Sequence, residues 1–252
     1  MAMHYTKMYS VRLTNNQYGK TNFYLSLGIL LATATLNHYY GGSIWVIYLG
    51  SVAWHLFIES GLFLSGLRKG EVYFGTYKMP KGIEIVQRAM VEGPAFCVPA
   101  YLVSANGKIG DTSHLIIGAL LVIIGSLYLA LSDLLSIRRS PKENLIYTRR
   151  SMNAPGGMMV LGIVNMSLIF YIALNQSTWL YFVAYSIFVL IFYAIHLPLG
   201  IRFIEFGADT STTYHRPNFG WQCLGLFYDS TFEMTLFIAP AYLIPWSFGW
   251  LS

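Results

Sequence analysis

The chain has 252 residues, of which 55% are hydrophobic and 11% charged, with a formal net charge of +5 and a mean hydropathy of +0.51. A soluble domain carries about 25% charged residues, so this composition argues against one and points to a bilayer. The length suits one bundle, and no polar linker or low-complexity tract divides it, so residues 1–252 read as a single domain.

The first twenty residues are polar and show no cleavable leader, which leaves the first apolar segment as an uncleaved insertion signal. Seven apolar segments follow, at 22–38, 43–67, 84–103, 113–136, 154–174, 178–201 and 221–248. Each approaches the roughly 20-residue length that a bilayer demands, and lipid leaves helices as the natural way to pair their backbone groups. The expected fold is therefore all-α, an integral membrane seven-helix bundle. Of the 16 Lys and Arg residues, all but Lys108 and Arg88 fall in the N-terminal segment or in alternate loops. This positive-inside bias places the N-terminus in the cytoplasm and the C-terminus outside. It also accounts for the basic balance without nucleic acid. The implied location is a multi-pass one, in the plasma membrane of a bacterium or the endoplasmic reticulum of a eukaryote. Cys97 and Cys223 both lie in apolar segments and read as packed thiols.

Ionisable groups inside spans are costly, about 2.5–3.5 kcal/mol each on insertion scales. The second segment carries His55 and Glu59, the third Arg88 and Glu92, the seventh Asp229 and Glu233. Each pair is spaced i, i+4 and shares one helix face. Arg88 and Glu92 are able to neutralise each other, and His55 to bond Glu59. Asp229 and Glu233 repel if both ionise, which favours one of them as a neutral acid. Glu59 lies nine residues before Arg68, about 13 Å into the membrane at 1.5 Å per residue. Glu92 lies at a comparable depth, so the carboxylates of the second, third and seventh helices are expected to meet in one layer. The third and seventh segments also share a near-repeat, EGPAFCVPAYL at 92–102 and EMTLFIAPAYL at 233–243, identical at six of eleven positions. Its prolines, Pro99 and Pro240, are expected to kink two parallel helices beyond their acids. His196 precedes Pro198 by two and either satisfies that kink or lines the same hollow. Asp133, beside Arg138 and Arg139, reads as an acid at the inner surface.

Aromatic residues make up 16% of the chain, and aromatic faces stabilise cations. Trp54, Phe57, Phe96, Tyr228, Phe232 and Phe237, together with His196, are the expected substrate-binding walls around the acids. Acids within such walls suit protonation of an alkene or epoxide, shelter of the carbocation, and removal of a proton by a second carboxylate. The second-helix acid Glu59 and last-helix acid Asp229 resemble those of the small membrane-bound terpene cyclases of meroterpenoid pathways. That resemblance implies cyclisation of an isoprenoid or prenylated lipid, with Asp229 as initiating acid and Glu59 as its partner. Glu92, Glu233 and His55 then tune protonation or take up the final proton. The stretch HLFIESG is similar to the His-x-x-x-Glu motif of the emopamil-binding sterol isomerases, which implies a shifted double bond with Glu92 as the next-helix acid. Length, the second-span His and the Arg-then-Glu third span also resemble heliorhodopsins. No lysine follows Lys142, so retinal has no Schiff-base partner, and a ligand-binding protein or proton-coupled transporter is the reading that remains from that likeness. The expected partners are a hydrophobic small molecule and membrane lipid. No cofactor is called for, and no four-ligand metal spacing is present.

Overall fold

The computed structural model describes residues 7–15, 18–41, 43–66, 71–104, 112–139, 145–151, 179–207, 212–229 and 234–251, with single positions at 164, 167 and 171. Most of this is helix. The fifth apolar segment, 154–174, lies almost wholly outside the described residues, and so does Glu233.

Helices α1 (Tyr18–Tyr40) and α2 (Ser43–Leu64) are joined through Gly41, whose φ of 100° is open to glycine without strain. The buried stripe of α2 runs Ile44, Ile47, Tyr48, Ser51, His55 and Glu59. Its spacing is that of one helical face, and it turns from apolar to polar on the way to Glu59. A two-stranded hairpin follows, β2 (Tyr73–Phe74) with β3 (Tyr77–Lys78).

The third apolar segment is two helices, α3 (Lys81–Glu92) and α4 (Pro94–Ser104), separated at Gly93. Pro94 has no N–H, so the carbonyl of Met90 lacks its usual i+4 donor, and the chain restarts with proline in the first turn, where that residue is tolerated. Gly93 is confined: a Cβ there would lie 2.4 Å from Nδ1 of His55. Helix α4 is the central post of the bundle. Every residue from Phe96 to Val103 is buried, against α2, α5 (Thr112–Arg139), α6 (Trp179–His196) and α8 (Met234–Ser247). The repeated motif packs against itself here, with Tyr101 and Tyr242 ring centroids 6.4 Å apart and Tyr242 stacked at 4.5 Å on Tyr181.

The mostly helical fold agrees with the all-α expectation, and alongside the helices stands one small sheet that the apolar pattern did not announce. Strands β1 (Lys7–Asn15), β4 (Leu145–Ser151) and β5 (Arg202–Gly207) form an antiparallel sheet with β1 in the middle. Val11 lies opposite both Arg149 and Phe203. The outer edge of β5 is covered at two points, at Phe206 by the His215 backbone, with hydrogen bonds of 2.8 and 2.9 Å, and at Ile204 by a side chain. Gln222, on α7 (Phe219–Tyr228), accepts from the Ile204 N–H at 2.6 Å and donates to the Ile204 carbonyl at 2.8 Å. Its amide thus stands in for a fourth strand, which blunts an edge that would otherwise invite pairing. Gly225 allows the approach, since a Cβ there would lie 2.7 Å from Cγ1 of Ile204.

Among the described residues, two helices are long and apolar enough to cross a membrane, Ser43–Leu64 and His114–Arg139, and Leu180–His196 is apolar but shorter. The shortfall from the seven expected spans has local causes. The third is broken at Gly93 and carries Lys81, Glu84, Arg88 and Glu92, and α1 is diluted by Thr, Asn and His.

Candidate functional site

Two polar groups of side chains are built into the bundle. The first joins α1, α2 and α3. Glu84, Arg88 and Glu92 share one face of α3 at successive i+4 steps. Arg88 donates from Nε and Nη2 to Oε1 of Glu84, both at 3.1 Å, and from Nη1 to Oε1 of Glu92 at 3.3 Å. Nη2 also donates to the Tyr18 hydroxyl of α1, and the guanidinium stands 5.0 Å from that ring's centre. Glu59 of α2 is fully buried, and its charge acts on Arg88 as well.

His55, one turn from Glu59, is 1% exposed and packs against the Gly93 backbone, within reach of the charge of Glu92. Its Nδ1 lies 2.9 Å from the Ser51 carbonyl oxygen. A carbonyl only accepts, so Nδ1 carries the hydrogen, which leaves Nε2 as the acceptor nitrogen of the neutral ring. Three carboxylates therefore surround one buried guanidinium. With Lys81 bonded to Glu84 at 3.2 Å, two cations face three acids.

The second group lies beneath the sheet. Asp229, at the end of α7, accepts at Oδ2 from the Tyr193 hydroxyl at 2.6 Å and from Ser10 Oγ of β1 at 3.2 Å. Two hydroxyl donors on one oxygen fit a carboxylate acceptor. Arg12 of β1 pairs with Asp133 of α5 at 3.3 Å. His196 is 1% exposed, its Nδ1 lies 2.7 Å from the Phe192 carbonyl, and Arg202 lies 5.0 Å from the Phe192 ring.

The expected convergence is thus realised in part. Glu92 bonds Arg88, His55 packs on the adjoining Gly93, and Glu59 lies one turn from His55 on the same buried face of α2. Asp229 and His196 belong to the second group, with partners drawn from β1 and α6. Phe96 is buried and meets Phe192 edge to face at 5.7 Å. Phe57 is 68% exposed, with Trp54 5.5 Å from it, so Phe57 faces outward rather than lining an enclosed hollow. Its position explains this: two residues from His55 on a helix is the opposite face. Phe232, Glu233 and the side chains of Tyr228 and Phe237 lie outside the described residues. Among the described residues, no set of three His, Cys, Asp or Glu side chains is placed to hold a metal.

Glu84 and Tyr18 are the members that the sequence reading passed over. Glu84 was legible, being four residues before Arg88. Tyr18 is separated from Arg88 by 70 positions and leaves no local pattern. Comparison with protein-family models, with curated proteins and with solved structures finds no match.

Proposed function

We propose that the chain crosses the membrane seven times and moves a proton onto and off an alkene of an isoprenoid or sterol-like lipid, shifting its double bond. The membrane part is supported by what the long helices turn outward. On α5, Ile116, Leu120, Ile124, Leu131 and Leu135 are each about half exposed, a stripe that water disfavours and lipid accepts. The sheet adds a parity argument. Its strands must lie on one side of the membrane. The helices α1, α2, α3–α4 and α5 separate β1 from β4. Four crossings, an even number, bring the chain back to the side it left.

The observation that carries the chemistry is His55 packed on Gly93, the residue next to Glu92, with Glu92 bonded to Arg88 at 3.3 Å and the buried Glu59 one turn from His55 on α2. Glu59, in its acid form, protonates one carbon of the double bond. The resulting tertiary cation lies beside the Glu92 carboxylate, which Arg88 holds in place. Nε2 of His55 removes a proton from the neighbouring carbon and returns it to Glu59, so the double bond moves and the proton count closes. Ring closure begins with the same first step, and its products separate it from isomerisation.

The test is incubation of membranes carrying the protein with sterols, prenylated aromatics and their epoxides in heavy water. Deuterium with a shifted double bond is expected. General acid–base groups contribute about 10²–10⁴-fold, so Glu59→Gln and His55→Ala lower turnover by at least about a hundredfold, and Asp229→Asn far less. Deuterated ring products that vanish with Asp229→Asn would move the function to cyclisation. No conversion, with proton-coupled uptake into vesicles, would move it to transport.

A further inference from the structure

Tyr48 of α2 is 3% exposed, and among the described residues it is the one tyrosine whose hydroxyl is buried without a hydrogen-bond partner. The polar groups near it in the chain and in the outer half of the bundle are engaged elsewhere. Ser51 Oγ donates to the Tyr48 carbonyl at 2.8 Å, not to its phenol. The Tyr101 hydroxyl bonds Ser43, and that of Tyr181 bonds Cys97. Trp45 meets the Tyr48 ring edge to face at 5.5 Å. A buried hydroxyl with no partner destabilises the fold, and phenylalanine would fill the same space without that cost.

Tyr48 also stands on the face that carries the proposed chemistry. The buried stripe of α2 runs on from it through Ser51 to His55 and Glu59. Seven residues separate Tyr48 from His55, which is about 10 Å along the axis. Tyr48 lies five residues from Ser43, the outer end of α2 in the seven-span path, and His55 lies deeper. A lipid alcohol has the same order, because its hydroxyl stays near the interface while its hydrocarbon goes inward. The outer part of the stripe, Ile44, Ile47, Tyr48 and Ser51, carries no charge. A phosphate or ammonium buried there would lack a counter-charge, whereas a neutral hydroxyl both gives and takes a hydrogen bond with a phenol.

We infer that the substrate is a lipid alcohol whose free hydroxyl bonds Tyr48, with the double bond that moves lying about 10 Å deeper, beside His55. The inference rests on the double-bond chemistry proposed for His55 and Glu59, and it names the class of lipid. Tyr48 takes no part in moving the proton. It holds the end of the molecule that does not react, and so determines which carbon of a long hydrocarbon reaches the acid.

The experiment measures binding of radiolabelled cholesterol and geranylgeraniol to the detergent-solubilised protein, each beside the hydrocarbon that lacks its oxygen. The native protein is expected to bind at least one alcohol about tenfold more tightly than its hydrocarbon, because a site built around a hydrogen bond rejects an analogue that leaves its polar group unmet. Tyr48→Phe is expected to weaken the alcohol and leave the hydrocarbon unchanged, which also shows that the variant is folded. Native protein with no preference for either alcohol, or a preference that survives in Tyr48→Phe, overturns the inference. His55→Ala should keep the preference and stop turnover. Native protein that prefers the alcohol through Tyr48 and converts nothing overturns the double-bond chemistry instead and leaves the alcohol site standing. Thermal unfolding of the lipid-free protein gives a second reading: Tyr48→Phe should be at least as stable as the native chain. A marked loss of stability would show that the hydroxyl already has a partner within the fold, and that result overturns the inference.

Discussion

The two buried polar groups are built from similar residues and do opposite things with them. Beneath the sheet, acids meet donors that suit them: Asp229 takes two hydroxyls, and Asp133 takes Arg12. At the junction of α2 and α3, three carboxylates compete for Arg88 beside a histidine whose tautomer is set by Ser51. The first arrangement ties strands to helices. The second sets three carboxylates against Arg88 and Lys81, the imbalance on which the proposed proton chemistry draws. Buried charge alone therefore says little about function; the ratio of donors to acids separates the two.

The largest expected effect that tests this contrast is Arg88→Met. Removing one partner of a buried ion pair costs about 3–5 kcal/mol, and here two acids lose their cation at once. Thermal unfolding in detergent should show a clear loss of stability, and adding Glu84→Gln and Glu92→Gln to the same chain should recover much of it. An Arg88→Met protein as stable as the native one would remove the distinction between the groups.

Next in size is Gly93→Ala. Its methyl falls on the His55 ring, and overpacking costs about 1–3 kcal/mol. Combining it with His55→Ala should relieve the strain, a coupling that a double-mutant cycle measures. Additive losses would mean that the ring does not rest on the α3–α4 break.

Asp229→Asn ranks third. It keeps the shape and exchanges charge-assisted hydrogen bonds for neutral ones, a loss of about 1–2 kcal/mol. A loss larger than that of Arg88→Met would reverse the ranking of the two groups.

The smallest effect lies outside both groups, in the exposed hairpin. Hydrogen bonds from Lys78 and Tyr73 hold the Glu71 carboxyl below its ordinary value, and Glu71 holds the Lys78 ammonium above its own. The support from Glu71 is therefore full above the usual carboxylate range and fades as pH falls through it. The Lys78 part is full below the usual lysine value and fades as pH rises beyond it. Protection of the Met79 amide, bonded to the Val72 carbonyl at 2.9 Å, measured against its intrinsic exchange rate at each pH, should weaken slightly in acid and no longer do so in Glu71→Gln.

What could be read from the sequence follows the range of each interaction. His55, Glu59, Arg88 and Glu92 stand at i, i+4 within single helices, so their shared faces follow from spacing alone. The Gly93–Pro94 dipeptide is an ordinary turn signal, but a hydropathy window of span length averages over it and reports one segment, 84–103. The sheet was beyond such reading because its partners lie far apart, although Val11 and Leu13 alternate with polar residues in β1. Asp229 finds Ser10 at a separation of 219 positions and Tyr193 at 36. Its spacing to Glu233 pointed along its own helix, whereas its described hydrogen bonds come from a strand and another helix.

The middle strand of the sheet is made before both of its neighbours, and Arg202–Gly207 is the later of the two. Until then β1 lacks one of its two partners, and Gln222 has no edge to close. Assembly is thereby timed: the sheet is completed only after α1 to α6 have been made, and a chain that stalls before residue 207 exposes an unfinished strand for quality control to recognise.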